Sequence, residues 1–274
     1  MPDRDVAPLT PEERAARAAS FGGVAAHYER YRQGPPQAAV DWILPDRVGT
    51  VVDLGAGTGA LARLLIDRAD EVIAVEPDDR MRAVLTESVP GVRAVAGRGE
   101  SMPLPDAGAE AVIASSSWHW MDPVPTLTEV GRVLVPGGAL AAVWSGPDPE
   151  SPLLAQARAL LEGDGPTDLD RRERVELDKA FNDRSATVQA LEIPPGVPFE
   201  QPEQTVITWD VALNADELVG LLGTFSWVIL MEDDASARLF ETARRLLRDA
   251  LGIEGDVTVD VGYRAEVWRA RRHR

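Results

Sequence analysis

Apolar positions in the first half of the chain fall into short unbroken runs, separated by stretches in which they recur every three or four residues. The runs are "TVVDL" (50–54), "EVIAV" (71–75), "GVRAVA" (91–96), "EAVIAS" (110–115) and "ALAAVW" (139–144). Strands covered on both faces have this character, because neither side meets water. Between the first two runs Leu61, Leu64 and Leu65 stand at helical spacing. "DDRMRAVLTES" reads as a helix with Asp78 as N-cap, and a helix through "PTLTEVGRVL" stops at Pro136-Gly137-Gly138. Strand and helix in alternation predict repeated βαβ units and a parallel sheet.

The later pattern differs. "QTVITWDVAL" (204–213) alternates like a strand with one wet face. "NADELVGLL" opens a helix at Asn214 with Glu217 three residues on, a capping-box spacing, and "DDASARLFETARRLLRDAL" is a further helix. "DVTVDVGYRAEVWRARR" closes the chain as a strand, with its arginine-rich end expected as a solvated tail. The expected fold class is α/β: a Rossmann-like, doubly wound, mostly parallel seven-stranded sheet with an antiparallel edge strand. Between Ser145 and about Pro198 the chain is rich in Pro, Gly and charge ("SGPDPESP", "IPPGVP"), as expected of a cap or insertion over one sheet edge. One domain in four parts is therefore expected: an N-terminal helical lid at 1–45, an α/β core at 46–145, a cap at 146–198, and a completion of the sheet at 199–274.

Composition narrows the class. A chain of 274 residues buries a full core. With no cysteine, disulfides and thiolate-held metals are excluded, and no cluster of ligands announces another metal. A net charge of -17 repels phosphate backbones, so nucleic acid is not an expected partner. No apolar run is long enough to span a bilayer, and the charged N-terminus lacks the apolar core of a signal peptide. The expectation is a cytoplasmic protein that meets a small molecule rather than a membrane.

The chemistry concentrates after the first strand. "VVDLGAGTGAL" sets Gly55, Gly57 and Gly59 between that strand and its helix, where a tight turn needs residues without Cβ. The following helix N-terminus is expected to offer unpaired N–H groups to a ligand. Gly55, Gly57 and Ala60 satisfy the loose dinucleotide fingerprint, and Glu76 lies where that fingerprint places a ribose-binding acid. A nicotinamide-dependent oxidoreductase therefore stays open on these residues alone. Asp53 weighs against it: a carboxylate at the mouth of the strand repels a dinucleotide's phosphates and attracts an ammonium.

"DLGAGTG" resembles motif I of the class I S-adenosylmethionine-dependent methyltransferases, and later segments resemble that family in order. "AVEPDDRM" is similar to its second motif, "GRGESMPLPDAGAEAVIASSS" to the stretch around the fourth strand, and "RVLVPGGALAAVW" to the motif before strand five. "HYERYRQGPPQAAVDWI" resembles the "Y-D-x-x-R-P-x-Y-P" lead-in of the methyltransferase type 11 branch, similar to the trans-aconitate and carboxylic-acid methyltransferases. "HWMD" (119–122) resembles that branch's "H-W-F/M-D". The resemblance implies S-adenosyl-L-methionine as cofactor, with Asp53, Gly55, Ala56 and Gly57 around its aminoacyl part. It implies Glu76 on the ribose hydroxyls and Pro77 and Met81 near the adenine. Two positions depart from the branch. Arg98 stands where it often has Asp or Ser, leaving adenine recognition to Gly99 and Glu100. Its "R-P-x-Y-P" reads Arg32-Gln33-Gly34-Pro35-Pro36 here, which loses an aromatic.

"SSSWHWMD" (115–122) then falls beyond the carboxyl end of strand four, where open α/β sheets bind ligands. Ser115 is expected beside the cofactor, and Trp118 and Trp120 as flat walls for the sulfonium or the acceptor. His119 is a candidate to orient the acceptor or take its proton, and equally a candidate packing group. Tyr28 is expected at the substrate, and Arg32 at the cofactor carboxylate or an acidic substrate. His27 and His273 are expected to be structural and in the tail. The implied activity is in-line methyl transfer to a small-molecule acceptor, with O-methylation of a carboxylic acid or phenol in front. A relative that binds the cofactor or its product without transferring methyl is the alternative.

Overall fold

The computed structural model describes residues 20–162, 173–175, 177–178 and 190–274. The first nineteen residues of the expected lid, and 163–172, 176 and 179–189 of the expected cap, lie outside the described residues.

Seven strands form one sheet: β1 (Val48–Leu54), β2 (Ala69–Val75), β3 (Arg93–Val95), β4 (Ala109–Ser115), β5 (Leu134–Pro147), β6 (Glu203–Leu213) and β7 (Val259–Arg271). Their order is β3-β2-β1-β4-β5-β7-β6. The first five pair in parallel, while β7 runs antiparallel to both β5 and β6. The order reverses between β1 and β4, and that switch point is where open α/β sheets leave a crevice at the strands' carboxyl ends.

Alternate residues of the unbroken apolar runs feed two cores. Val52, Leu54, Val112, Ala114, Leu140, Ala142 and Trp144 pack beneath helix α5 (Pro123–Val133) through Leu127 and Val130. Val51, Ala111, Ile113, Ala139, Ala141 and Val143 face the other way. There they meet α2 (Gln37–Ile43) and the short α3 (Ala62–Leu65). Burial on both faces explains why the sequence shows runs rather than alternation. Strand β6, at the edge, does alternate in burial and carries Val206 exposed.

Helix α1 (Ala25–Tyr31) and the 3₁₀ turn before it (Phe21–Val24) pack against helices from both halves of the chain. At Gly22 a Cβ would come within 2.3 Å of Asp78 Oδ2, so the lid's first turn presses on the start of α4 (Asp79–Ser88). At the other end His27 Nε2 contacts the Gly220 carbonyl at 2.9 Å and Tyr31 closes on Gly220, in α7 (Ala215–Leu222). This N-terminal segment thus bridges the start of α4 and helix α7. His27 is structural, as expected.

The capping box and the N-cap read from sequence are both present. Asp78 accepts from Arg80 and Met81, and Asn214 and Glu217 cap each other's backbone. Caps of this kind contribute about 1 kcal/mol each. The expected helix at 60–69 is shorter, one α-turn and a 3₁₀ turn over Ile66–Arg68. Strand β5 runs to Pro147, because its antiparallel partner β7 supplies backbone bonds beyond the point where the apolar pattern stops. The arginine-rich end is not a solvated tail. Arg269 stacks on Trp42 at 4.5 Å and donates to its carbonyl, and Arg272 donates to the Leu134 carbonyl. Arginine's long stem and planar head let it close a sheet edge that a sequence pattern reads as exposed. Within the cap region, α6 (Pro152–Glu162) contributes Leu161 to the helical cluster of Val219, Leu239 and Leu246. Leu191 and Phe199 join the core beside Trp144.

Candidate active site

The loop after β1 is fixed to β2 by its own amides. The N–H groups of Gly55 and Ala56 donate to the Val75 carbonyl at 2.8 and 3.2 Å, and that of Gly57 donates to Glu76 Oε2 at 2.9 Å. Strand β2 ends beside these loop amides and takes them, so it is not they that stand free for a ligand. What the glycines supply is conformation and room. Gly55 and Gly57 hold φ of +69° and +56°, a region costly to residues with a Cβ. A Cβ on Gly55 would stand 2.6 Å from the Ser117 Cβ, whereas one on Gly57 would meet nothing within 4 Å. Gly55 is closed by packing, and Gly57 lines open space.

Two acids lie at the mouths of these strands. Asp53 is 1% exposed, and neither carboxylate oxygen has a hydrogen-bond partner among the described residues. Burial raises its pKa to about 8. The nearby Ala62 amide offsets this in part without forming a hydrogen bond, and Glu76 adds to the rise. A buried carboxyl in this state calls for a cation. Glu76, at the tip of β2, is buried and also shifted upward by burial; its oxygens accept from Gly57 and Asp78 at 2.9 Å each. Met81 is buried on the first turn of α4, and Pro77 stays exposed beside it. A Cβ on Gly99 would stand 2.6 Å from Met121 Sδ, and Glu100 Oε1 accepts from the Asp122 amide at 2.8 Å. Gly99 and Glu100 are thereby locked to the segment that follows β4.

That segment turns sharply. Ser115 ends β4, and Ser116 takes a φ of +52°, which costs a non-glycine residue on the order of 1 kcal/mol. Ser117 secures the turn by donating from its buried hydroxyl to the Leu54 carbonyl at 2.6 Å, tying β4 to β1. Nothing local singles out Ser117 in the sequence, because a third hydroxyl in "SSS" has no meaning without Leu54 beside it. Trp118 departs from its expected place as a wall. It is 5% exposed and packs in the core with Leu54 and Ala114. Trp120 remains at the cleft, with Phe21 of the lid at 5.8 Å, and Tyr28 packs edge-on against Phe21 at 5.5 Å.

His119 lies between these groups and β5. Trp144 Nε1–H donates to His119 Nδ1 at 3.4 Å, a long hydrogen bond. The imidazole reaches solvent in part, yet packed groups surround it. That desolvation, with the Arg32 charge, lowers its pKa to about 4. Arg32, at the end of α1, reaches toward Ser145 on β5 (Nη2 to the carbonyl, 3.5 Å) and lies over the Phe225 ring at 5.6 Å. It therefore sits on the β5–β7 side of the crevice. Tyr263 of β7 shares that side. It is 2% exposed, its hydroxyl has no partner among the described residues, and burial lifts its pKa to about 12, against a small lowering by Arg32. The sequence offered Tyr263 only as one residue of an alternating strand.

A family model described as a methyltransferase domain matches residues 52–142, which hold both acids, the glycine loop and the β4 turn. An uncharacterised methyltransferase of Mycobacterium tuberculosis strain H37Rv is 32% identical over 228 residues, 83% of this chain and 85% of that one. The chain belongs to the class I S-adenosylmethionine-dependent methyltransferases, type 11 branch. As a methyltransferase it uses S-adenosylmethionine as cofactor. A solved structure described as a type II methyltransferase from Anaeromyxobacter dehalogenans shares the fold, with a TM-score of 0.59 and 24% identity over 88% of this chain and 98% of that one. A malonyl-[acyl-carrier protein] O-methyltransferase of Enterobacter lignolyticus is 30% identical over 137 residues, 48% of this chain and 55% of that one. The methyltransferase's residues fit the cofactor chemically. Asp53 is an orphaned buried acid suited to an ammonium, Glu76 an acceptor suited to a diol, and Gly57 leaves its surface open where a side chain would intrude. No helix among the described residues is long and apolar enough to cross a membrane.

Proposed function

We propose that this methyltransferase transfers the methyl group to an oxygen of a small-molecule acceptor, a carboxylic acid or a phenol. In this reading Asp53 and the Gly55–Gly57 loop hold the aminoacyl end of the cofactor and Glu76 the ribose. Pro77, Met81, Gly99 and Glu100 surround the adenine. The bound cofactor supplies a methyl carbon activated by its sulfonium. The protein aligns the acceptor with that carbon and excludes water. Ser115 lies at the junction, and Trp120, Phe21 and Tyr28 wall the acceptor under the lid.

The observation that carries the reading is the pairing of Trp144 Nε1–H with His119 Nδ1. A neutral imidazole has one lone pair, and here an indole N–H faces it. His119 is then an orienting group rather than a base. A carboxylic acid, ionised unaided near neutrality, suits such a site best, whereas a phenol or a carbon acid often needs a base to take its proton. The carboxyl chemistry of the malonyl-[acyl-carrier protein] relative favours the same class.

The test is methyl transfer from methyl-labelled S-adenosylmethionine to a panel of carboxylic acids, phenols and amines. Label that mild alkali releases as methanol identifies an ester, and alkali-stable label on a phenol an ether. Transfer confined to amines or carbon would contradict O-methylation. Cofactor binding with no transfer to any acceptor class would leave the non-methylating relative standing.

A further inference from the structure

We infer that Arg32, Tyr263 and His119 form a receptor for a carboxylate of the acceptor, with Trp144 as the positioning residue that keeps His119 in its donating form. This deepens the O-methyl-transfer reading above and rests on it.

The three side chains come from distant parts of the chain and each offers a donor: Arg32 and His119 Nε2 only donate, and the Tyr263 hydroxyl can donate as well as accept. Arg32 has N–H groups and no acceptor. Its described contacts are one long approach to the Ser145 carbonyl and the face of Phe225, and among the described residues no carboxylate pairs with it. Tyr263 stands opposite Pro147, where β5 ends, in the cluster that Phe225 packs against. Its hydroxyl is buried and unpartnered among the described residues, and a buried hydroxyl without a partner costs about 1–3 kcal/mol. His119 receives the Trp144 N–H on Nδ1, so in the neutral ring the proton is on Nε2. Arg32 approaches the Ser145 carbonyl, one residue after the Trp144 that holds His119, and Tyr263 pairs with Pro147 two residues further on, so all three lie at the carboxyl end of β5.

A set of donors carrying one formal positive charge is complementary to one negative charge spread over several lone pairs. A carboxylate has about four lone-pair sites and accepts a guanidinium bidentately. A primary amide of the same shape would turn its N–H₂ group toward donors, and an ammonium would meet Arg32 with like charge. Held by one bond from each of the three groups, the carboxylate keeps one of its roughly four lone-pair sites for the methyl carbon. Sequence resemblance placed Arg32 with the cofactor carboxylate or an acidic substrate; its position beside Ser145, Phe225 and Tyr263 favours the substrate.

The experiment is calorimetric titration of the full chain saturated with S-adenosylhomocysteine, using benzoate, phenylacetate and hexanoate, each against its primary amide. At least one carboxylate is expected to bind about tenfold more tightly than its amide or better. Arg32→Gln removes that preference, Arg32→Lys restores part of it, and Tyr263→Phe weakens the carboxylate several-fold while sparing the amide. S-adenosylhomocysteine affinity stays unchanged in all three variants. Nitrogen-15 shifts of the His119 ring at neutral pH show Nε2 protonated and Nδ1 bare. Equal binding of acid and amide, no binding by any carboxylate, or a preference that survives Arg32→Gln overturns the receptor. So does an Arg32→Gln variant that loses S-adenosylhomocysteine, which would assign Arg32 to the cofactor. Failure of the parent protein to bind S-adenosylhomocysteine would instead strike the cofactor assignment beneath it.

Discussion

The Gly57 amide donates to Glu76 Oε2 at 2.9 Å, which ties the turn after β1 to the tip of β2. Gly55 and Ala56 reinforce it through Val75. Asp53, behind the same turn, gains nothing from these amides, since neither of its oxygens has a hydrogen-bond partner among the described residues. The loop spends its donors on shape and leaves its acid uncompensated, which is the arrangement of a cation site. Stability and binding are therefore opposed at Asp53.

That opposition has a pH signature. With its pKa raised to about 8, Asp53 keeps its proton in the fold where an unfolded aspartate, near 3.9, has released it. Between those values the native state binds more protons, so the Asp53 contribution to stability falls as pH rises from about 4 to 8. Asp53→Asn removes this slope. Thermal unfolding without cofactor is expected to show the variant more stable than the parent at pH 8, by roughly 1–3 kcal/mol, with a smaller difference at pH 5. A difference independent of pH would mean Asp53 is ionised in the free protein.

Two glycine substitutions separate packing from conformation. Gly55→Ala drives a methyl group into Ser117 at 2.6 Å and imposes a positive φ, and is expected to cost roughly 2–4 kcal/mol and the cofactor with it. Gly57→Ala meets no atom within 4 Å, so only its φ is strained, at about 1 kcal/mol. The Gly57 variant should fold nearly as well as the parent and still lose S-adenosylmethionine affinity, because its methyl group projects into the open side of the loop. Denaturant titration paired with calorimetry checks both.

Ser117→Ala deletes the hydroxyl that bonds the Leu54 carbonyl and leaves a buried acceptor unpaired. A loss of about 1–2 kcal/mol is expected. Because this bond also holds the strained Ser116 turn, the Trp120 indole signal should broaden in NMR spectra. An unchanged spectrum and stability would show that the turn is held by packing alone.

His119 is expected to titrate near 4, lowered first by desolvation and then by the Arg32 charge. A ring that resists protonation in the fold while the unfolded chain accepts it makes stability fall as pH drops from about 6.5 to 4. Following the imidazole protons by NMR should show no titration between pH 6 and 8. Turnover should likewise lack an ionisation there that His119→Ala removes. A midpoint near 6.5 would return His119 to the role of base.

The strands, their order of chemistry and the two acids are legible in the sequence because each is local: a run such as "TVVDLGAG" carries the strand, its mouth and its turn together. What was not legible depends on pairs far apart in the chain. The Ser117 hydroxyl needs Leu54, 63 residues away, and His119 needs Trp144, 25 residues on. Tyr263 acquires meaning only when β7 brings it opposite Pro147. The tryptophans of "WHW" show the same limit. The pattern is symmetric about His119, but Trp118 packs in the core while Trp120 is half-buried against Phe21.

The most direct test of the account is calorimetric binding of S-adenosylmethionine to the parent chain and to Asp53→Asn and Glu76→Gln. The account predicts one site in the parent and a loss of about tenfold or more in each variant, with folding intact by circular dichroism. Binding to Asp53→Asn should also shed the proton release that the parent shows near neutral pH, where Asp53 must ionise to meet an ammonium. Parental affinity in either variant would contradict the placement of the cofactor between β1 and β2.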